Sequence, residues 1–144
     1  MESPYLIHGS KHIDERGIIS FVNDFKLEKV VRFYTILHED VSVIRAWQGH
    51  KFETKYFYCL KGKFIMNLVK VDDWNNPSNE LIVNTFMLEE DISQVLFVPP
   101  GYANGFKAIS KGSHLIVYSN KTVKDSQKDD YRFNKDSWFN WEQV

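Results

Sequence analysis

Apolar and polar residues alternate in short runs along most of the chain, and clusters of turn-forming residues separate the runs. The runs are rich in β-branched and aromatic residues, which favour extended strands. We predict strands at residues 18–24, 29–36, 41–47, 55–60, 63–71, 81–88, 94–98 and 114–120. Many short strands at a spacing of roughly ten residues indicate an all-β sandwich or barrel.

The breaks between these runs carry recognisable turn chemistry. Gly62, in the dipeptide Lys-Gly, indicates a hairpin. Residues 72–80, DDWNNPSNE, predict a long hairpin connection, and residues 99–105, PPGYANG, predict a turn. Residues 124–141 are charged with spaced aromatic residues, and they predict a short helix or a cap over the mouth of a barrel.

Composition narrows the class of protein. The chain has 144 residues, 43% apolar and 26% charged, which we interpret as a single globular domain over residues 1–144. A net charge of −1 gives no basic field for nucleic acid. No apolar run suits a membrane span or a signal peptide, so we expect a cytoplasmic protein. The single Cys59 excludes an internal disulfide, and its mid-strand position predicts a buried structural thiol.

Strand periodicity raises the question of a polar cavity. In residues 41–47, strict alternation places Arg45 with Trp47 and opposite Gln48, and in residues 55–60 it places Lys55 with Phe57. If Arg45 or Lys55 points inward, it must meet an anion or a carboxylate, because an unpaired buried charge is costly. The alternative is that both side chains lie on the outer, wet face. The aromatic content of 15% suits a cavity that stacks sugar or base rings.

Three segments together resemble the dTDP-4-dehydrorhamnose 3,5-epimerase group of cupins. They are DERGIISFVND (14–24), IRAWQGHKFETKYFYCLKGKF (44–64) and FVPPGYANGFKAIS (97–110), which follow the order and separations of that group's motifs. The resemblance covers roughly residues 10 to 120. It implies a cupin jelly-roll β-barrel, usually a homodimer, with a small-molecule nucleotide sugar entering the barrel. One fold hosts several functions, so the reaction must be argued from the site.

Within the second segment, RAWQGHK is most similar to the Arg-Gly-x-His-Ala-His-Lys pattern of the dTDP-4-keto-6-deoxyglucose 3,4-ketoisomerases. Arg45, His50 and Lys51 match that pattern, and Gln48 stands where the first His is expected. The same comparison matches Arg32 and Tyr34 to polar residues of the preceding strand and Lys55 to the epimerases' strand-opening Lys.

The departures from the epimerase pattern favour the ketoisomerase. Gln48 replaces the epimerases' catalytic His, and Asn104 replaces the His of the third segment. Tyr118 matches the first of the epimerases' two tyrosines, but Lys124 stands at the second position. The base and the acid of a 3,5-epimerase are therefore both replaced.

Proton transfer beside a ketone needs a base near neutral pKa, a stabiliser for the enolate and a route to return the proton. His50 is the predicted base, because the other histidines lie in an exposed N-terminal segment, in a turn (His38) or at a strand start (His114). Arg45 and Lys55 are predicted to stabilise charge or to bind the diphosphate. Tyr118 is a candidate acid. The predicted substrate-binding residues are Arg45, Gln48, Lys51, Arg32, Tyr34 and Asn104.

Metal binding and the role of Glu53 complete the prediction. The cupin metal pattern retains only His50 and Glu53 here, too few ligands for a tight site, so we expect no metal and no other cofactor. Glu53 could orient His50 or Lys55, but a solvated loop charge is the favoured interpretation.

Two functions remain. The first is an isomerase or epimerase of a nucleotide-linked 4-keto-6-deoxy sugar in surface-polysaccharide biosynthesis, closer to a 3,4-ketoisomerase than to a 3,5-epimerase. The alternative is a cupin that binds a sugar or nucleotide, or scaffolds a partner, without turnover. Retention of Arg45, His50 and Lys55 favours the enzyme.

Overall fold

Two antiparallel five-stranded sheets face each other in the computed structural model, which describes residues 2–144. The strands are β1 (Tyr5–His8), β2 (Ser10–Asp14), β3 (Gly17–Phe21), β4 (Arg32–His38), β5 (Ile44–His50), β6 (Lys55–Lys61), β7 (Lys63–Lys70), β8 (Val83–Glu89), β9 (Gln94–Val98), β10 (Tyr102–Ala108), β11 (Ser113–Ser119) and β12 (Tyr131–Arg132). The first sheet has the order β1-β9-β6-β11-β4, the second β12-β5-β10-β7-β8, and β2 pairs with β3 as a hairpin. The predicted all-β jelly roll is confirmed, as two facing sheets rather than one closed barrel.

The main apolar core lies between the two sheets. Phe57 and Leu96 from the first sheet and Phe64 and Met66 from the second belong to one buried cluster. Strand β7 is buried along nearly its whole length, because its other face is covered as well. Cys59 is buried in this core as predicted, and burial raises the pKa of its thiol to about 12.

The eight predicted strands are present, but the sequence patterns do not predict β1, β2, β10 or β12. The predicted turn at residues 99–105 is wrong from Tyr102 onward, where the chain enters a central strand. Strand β10 pairs with β5 on one side and β7 on the other, and this pairing outweighs the low strand propensity of Asn104 and Gly105. A Cβ atom at Gly105 would lie 2.9 Å from the side chains of both Trp47 and Trp141, so only glycine fits there.

The C-terminal segment covers the outer face of the second sheet. The predicted short helix is confirmed as α1 (Val123–Gln127), and β12 and a 3₁₀ helix at Trp141–Gln143 follow it. Trp47, Trp138 and Trp141 pack together, and each indole N–H donates to a backbone carbonyl. In the same segment, β12 pairs with β5 and forms one edge of the second sheet.

Candidate active site

A cavity of about 550 Å³ opens between the two sheets, within the range of roughly 300–1,000 Å³ that is typical of small-molecule sites. Three cationic side chains line it, and no carboxylate of the described residues does. The polar lining residues are Tyr34, Arg45, Gln48, Lys55, Asn104 and Arg132. Apolar side chains such as Ile36, Phe57 and Phe106 form the remaining wall. The electrostatics of this cavity favour an anionic ligand.

A β-bulge places two of these polar residues on the same face. Strand β5 carries one extra residue, Trp47, relative to β10. The bulge directs both Arg45 and Gln48 to the cavity, while the Trp47 indole packs 5.3 Å from the Trp138 ring in the outer cluster. The strict alternation predicted for this strand is therefore wrong for Gln48. Arg45 and Lys55 point into the cavity, which is the first of the two predicted alternatives, and not to the outer, wet face.

Lys55 is a buried lysine at the cavity wall. It opens β6 with 3% exposure, and its Nζ donates to Gln48 Oε1 over 3.0 Å. Burial lowers the pKa of Lys55 to about 8, despite the opposing charge of Glu53. At pH 7 most Lys55 side chains are therefore protonated, and the proton is lost as the pH rises through about 8.

Gln48 links this lysine to the C-terminal segment. Its Nε2 donates to Asp130 over 3.1 Å, and the Asp130 carboxylate in turn accepts two hydrogen bonds from the Arg132 guanidinium. Arg132 reaches the cavity because β12 pairs with β5, with Arg132 opposite Gln48. Sequence reasoning missed Asp130 and Arg132; the predicted capping role of residues 124–141 was the signal that could have pointed to them.

Tyr34 lies near Lys55 on the cavity wall that the first sheet forms. The Lys55 ammonium lies 5.9 Å from the centre of the Tyr34 ring. Burial raises the pKa of Tyr34 to about 12, so its hydroxyl stays protonated and can donate a hydrogen bond to a ligand.

His50 is the last residue of β5, two positions after Gln48, but it does not line the cavity. It is 3% exposed, and its Nδ1 hydrogen-bonds to the backbone carbonyl of Asp129, so Nδ1 carries the proton. Its Nε2 is therefore the basic nitrogen, and it is buried with no hydrogen-bond partner among residues 2–144. Burial first, and the charge of Lys55 second, lower the pKa of His50 and keep its ring neutral at pH 7.

Glu53 is a buried carboxylate, so its interpretation as a solvated loop charge is wrong. Its side chain is fully buried, and it accepts hydrogen bonds from the hydroxyls of Ser119 and Ser126. It also lies 3.4 Å from the Arg32 guanidinium and 3.6 Å from His50 Nδ1. These partners replace the water that a charged carboxylate loses on burial. This geometry agrees with the other predicted role of Glu53, in which its carboxylate helps to orient His50.

Asp129 clamps the loop that follows His50. Its carboxylate accepts hydrogen bonds from the backbone N–H groups of Lys51, Phe52 and Glu53, over 2.7, 2.8 and 2.9 Å. Because its carbonyl also binds His50, Asp129 holds both the histidine ring and the loop in place.

We expect Asp129→Ala to lower the free energy of unfolding by about 3–5 kcal/mol, because it removes a buried charge partner of three backbone N–H groups. Urea denaturation followed by circular dichroism measures the change. Asp125→Ala, in exposed helix α1, is the control and should stay within about 0.5 kcal/mol. Equal effects of the two variants would contradict the clamp.

Besides His50, three further predicted site residues do not line the cavity. Arg32 turns toward the carbonyl of Lys121 and the buried Glu53 carboxylate. The Lys51 ammonium lies 5.1 Å from the centre of the Tyr131 ring. Tyr118 packs against aromatic rings on the opposite face of the first sheet, because its neighbour Val117 points into the core. The structure therefore does not bring Tyr118 to the cavity.

His38 differs from its predicted position in a turn. It is the last residue of β4, it is 2% exposed, and its Nε2 accepts a hydrogen bond from Arg45. The apolar run that precedes it continues the strand further than the sequence pattern indicated.

Residues 2–144 contain no cluster of three His, Cys, Asp or Glu side chains that could hold a metal ion. None of the helices in the same residues is long and apolar enough to span a membrane.

Two facing antiparallel sheets around a cation-lined cavity define a jelly-roll protein of the cupin type. The chain belongs to the family described as "FdtA: WxcM-like, C-terminal", whose model matches residues 3–142. The resemblance predicted from three sequence segments is confirmed by this match.

Individual relatives agree with the family. The chain is 26% identical over 110 residues to the probable low-salt glycan biosynthesis epimerase Agl13 of Haloferax volcanii, across 72% of this chain and 68% of the relative. A dTDP sugar isomerase from Desulfovibrio desulfuricans has a similar structure, with a TM-score of 0.79, 18% identity and coverage of 99% and 93% of the two chains. A mutant of the 3,4-ketoisomerase QdtA from Thermoanaerobacterium thermosaccharolyticum, in complex with TDP-4-keto-6-deoxyglucose, aligns with a TM-score of 0.72 and 20% identity over 92% and 89%.

Proposed function

We propose that this protein isomerises or epimerises a nucleotide-linked 4-keto-6-deoxy sugar for surface-polysaccharide or other glycan biosynthesis, and that it acts as a 3,4-ketoisomerase. The observation that carries the proposal is the cavity lined by Arg45, Lys55 and Arg132, to which residues 2–144 contribute no carboxylate. These charges suit a diphosphate and the enediolate that forms when a proton leaves the carbon beside a ketone. The activities for which the relatives are named support the same reaction class. A cytoplasmic location stays a prediction.

The proposed reaction moves a carbonyl from C4 to C3 of the sugar. A base takes the proton from C3, the electron pair forms the enediolate, and a proton returns to C4 while the O3 proton passes to O4. The neutral Nε2 of His50 is the proposed base. Lys55 supplies the positive charge beside the developing oxyanion, and Tyr34 donates a hydrogen bond.

The position of His50 sets a condition on this mechanism. Because His50 is buried outside the lining, side chains of the cavity wall must be displaced before a substrate carbon can reach Nε2. Catalytic contacts often tighten only in the substrate complex, so this displacement is part of the proposal.

Binding of thymidine diphosphate tests the proposed ligand class. We expect isothermal titration calorimetry to detect binding, and we expect Arg45→Gln to weaken it roughly tenfold to a hundredfold because a charge-assisted contact is lost. Lys61→Gln, at the exposed end of β6, is the control. A wild-type protein that ignores thymidine diphosphate, or an Arg45→Gln variant that binds it normally, would contradict the assignment.

Binding without turnover is the second candidate function. Where the resemblance places two histidines, the cavity is lined by Gln48 and Asn104. Their amide side chains cannot accept a proton at neutral pH. The burial of His50 favours the same candidate. Deuterium exchange into a bound keto sugar, described in the Discussion, separates the two functions.

We propose that the protein is a homodimer formed through the β2–β3 hairpin. The hairpin pairs with no third strand among the described residues, and it exposes Ile13, Ile18 and Ile19 at 67%, 62% and 60%. An isolated two-stranded hairpin is at best marginally stable, so a second copy would complete its packing.

We expect Ile18→Asp to weaken dimerisation by about 3–6 kcal/mol, because two copies of the side chain are lost from the interface. Light scattering coupled to size-exclusion chromatography measures the mass. Ile82→Asp is the matched control, since Ile82 is 82% exposed and lies outside the hairpin. A wild-type monomer, or an Ile18→Asp dimer as stable as the control, would contradict this interface.

A further inference from the structure

His38 is a buried histidine that the proposed chemistry does not use. It stacks on Phe106, with ring centroids 5.8 Å apart and an angle of 24° between the planes. It meets Phe64 edge-on at 5.5 Å. These contacts fix the ring within the core, where a polar side chain needs a specific partner.

The partner of His38 is Arg45. Arg45 Nε lies 3.1 Å from His38 Nε2. A guanidinium can only donate, so His38 Nε2 must present a lone pair, and the ring is neutral with its proton on Nδ1. Burial, followed by the charge of Arg45, lowers the pKa of His38 and favours this same neutral form.

Arg45 depends on this contact for its orientation. Its residue is exposed and lines the cavity, and within residues 2–144 its side chain makes no other hydrogen bond or salt bridge. A long arginine held at Nε keeps both terminal nitrogens free, and these form the edge that binds two oxygens of a phosphate.

The strand register separates this edge from the proposed reacting end of the cavity. Arg45 lies opposite Phe106, whereas Gln48, which binds Lys55, lies opposite Asn104. Because of the bulge at Trp47, these two partners are only two residues apart on β10, which corresponds to about 7 Å along the strand. That separation leaves room for a sugar ring beside Lys55 and its diphosphate beside Arg45.

We propose that His38 is a positioning residue, which accepts from Arg45 Nε and thereby aims the Arg45 guanidinium at the diphosphate of the substrate. The choice of a nucleoside diphosphate as the ligand rests on the proposed function. The contact between His38 and Arg45 does not rest on the proposed function. The proposed function and the role of His38 can therefore fail independently of each other.

A double-mutant cycle tests this role with thymidine diphosphate as the probe. His38→Phe keeps an aromatic ring in the stack but removes the acceptor, and we expect it to raise the Kd roughly tenfold. In an Arg45→Lys background, which lacks the Nε donor, the same substitution should change the Kd less than about twofold. His38→Gln, whose amide oxygen can accept from Arg45, should recover part of the affinity. Equal losses in both backgrounds would show a merely structural role and overturn the proposal.

Nuclear magnetic resonance of the ligand-free protein tests the contact without any ligand. In the wild type, the Arg45 Nε–H signal should be resolved and shifted from the position of a free guanidinium. In His38→Phe it should move to that free position. If His38→Phe does not fold, His38→Gln replaces it, and there the signal should move in the same direction by a smaller amount. The nitrogen shifts of His38 should report a neutral ring protonated at Nδ1. If the wild type does not bind thymidine diphosphate, the proposed function fails, and these signals alone decide the role of His38. A protonated His38, or an unchanged Arg45 signal in His38→Phe, would overturn the inference.

Discussion

Lys55→Met is expected to lower the turnover of a nucleotide-linked 4-keto sugar by about a hundredfold to a thousandfold, the usual effect of removing one oxyanion stabiliser. The Lys55 ammonium is held at the cavity wall by Gln48 and lies near Tyr34, so it is the cation best placed beside a developing enediolate. Methionine fills a similar volume without the charge. Because burial disfavours the charged form of Lys55, the variant should unfold at no lower temperature than the wild type.

The control for this variant lies at the other end of the same strand. Lys61→Met changes an exposed lysine at the last residue of β6, and it should leave turnover unchanged. A Lys55→Met protein that turns substrate over within tenfold of the wild type would contradict the proposed role of this lysine.

His50→Gln is expected to lower proton exchange at the sugar by about a hundredfold to ten-thousandfold, the range for a lost general base. The glutamine amide can still donate to the Asp129 carbonyl, so the loop should keep its structure. Deuterium incorporation followed by proton spectroscopy measures the loss. His114→Gln, in β11, is the control, and normal exchange in His50→Gln would remove His50 from the mechanism.

The pH dependence of the same reaction separates His50 from Lys55 as the base. His50 must be unprotonated to act, and burial lowers its pKa, so the rate should level off at a lower pH than it would with a histidine of ordinary pKa. Lys55 must stay protonated to stabilise the enediolate, so the rate should fall as the pH rises through about 8. A rate that instead rises through pH 8 would identify unprotonated Lys55 as the base.

Alternation and turn residues are sufficient to predict most of this fold. The strand from Gln94 to Val98 begins and ends where its apolar run does. Strand β10 is not predictable in this way, because its pairing on both sides overrides the weak strand propensity of Asn104 and Gly105. Such pairing is a property of the assembled sheet, and no local pattern reports it.

The candidate site is predictable only in part for the same reason. Arg45, Gln48 and Lys55 come from one sequence segment, and its resemblance to known motifs was enough to select them. Arg132 lies 84 positions after Gln48 in the chain, and it reaches the cavity because β12 pairs with β5. Only the tertiary structure shows this pairing. The bulge at Trp47 also changes which side chains share a face, which strict periodicity cannot anticipate.

Incubation with dTDP-4-keto-6-deoxyglucose in deuterated water, followed by proton spectroscopy of the sugar ring, tests the central claim most directly. A 3,4-ketoisomerase predicts loss of the C3 proton signal, deuterium at C4 of the product and a new 3-keto species. Label at both C3 and C5, with the ketone still at C4, would indicate a 3,5-epimerase instead. A bound sugar whose ring protons all persist would contradict the account and leave a protein that binds its ligand without turning it over.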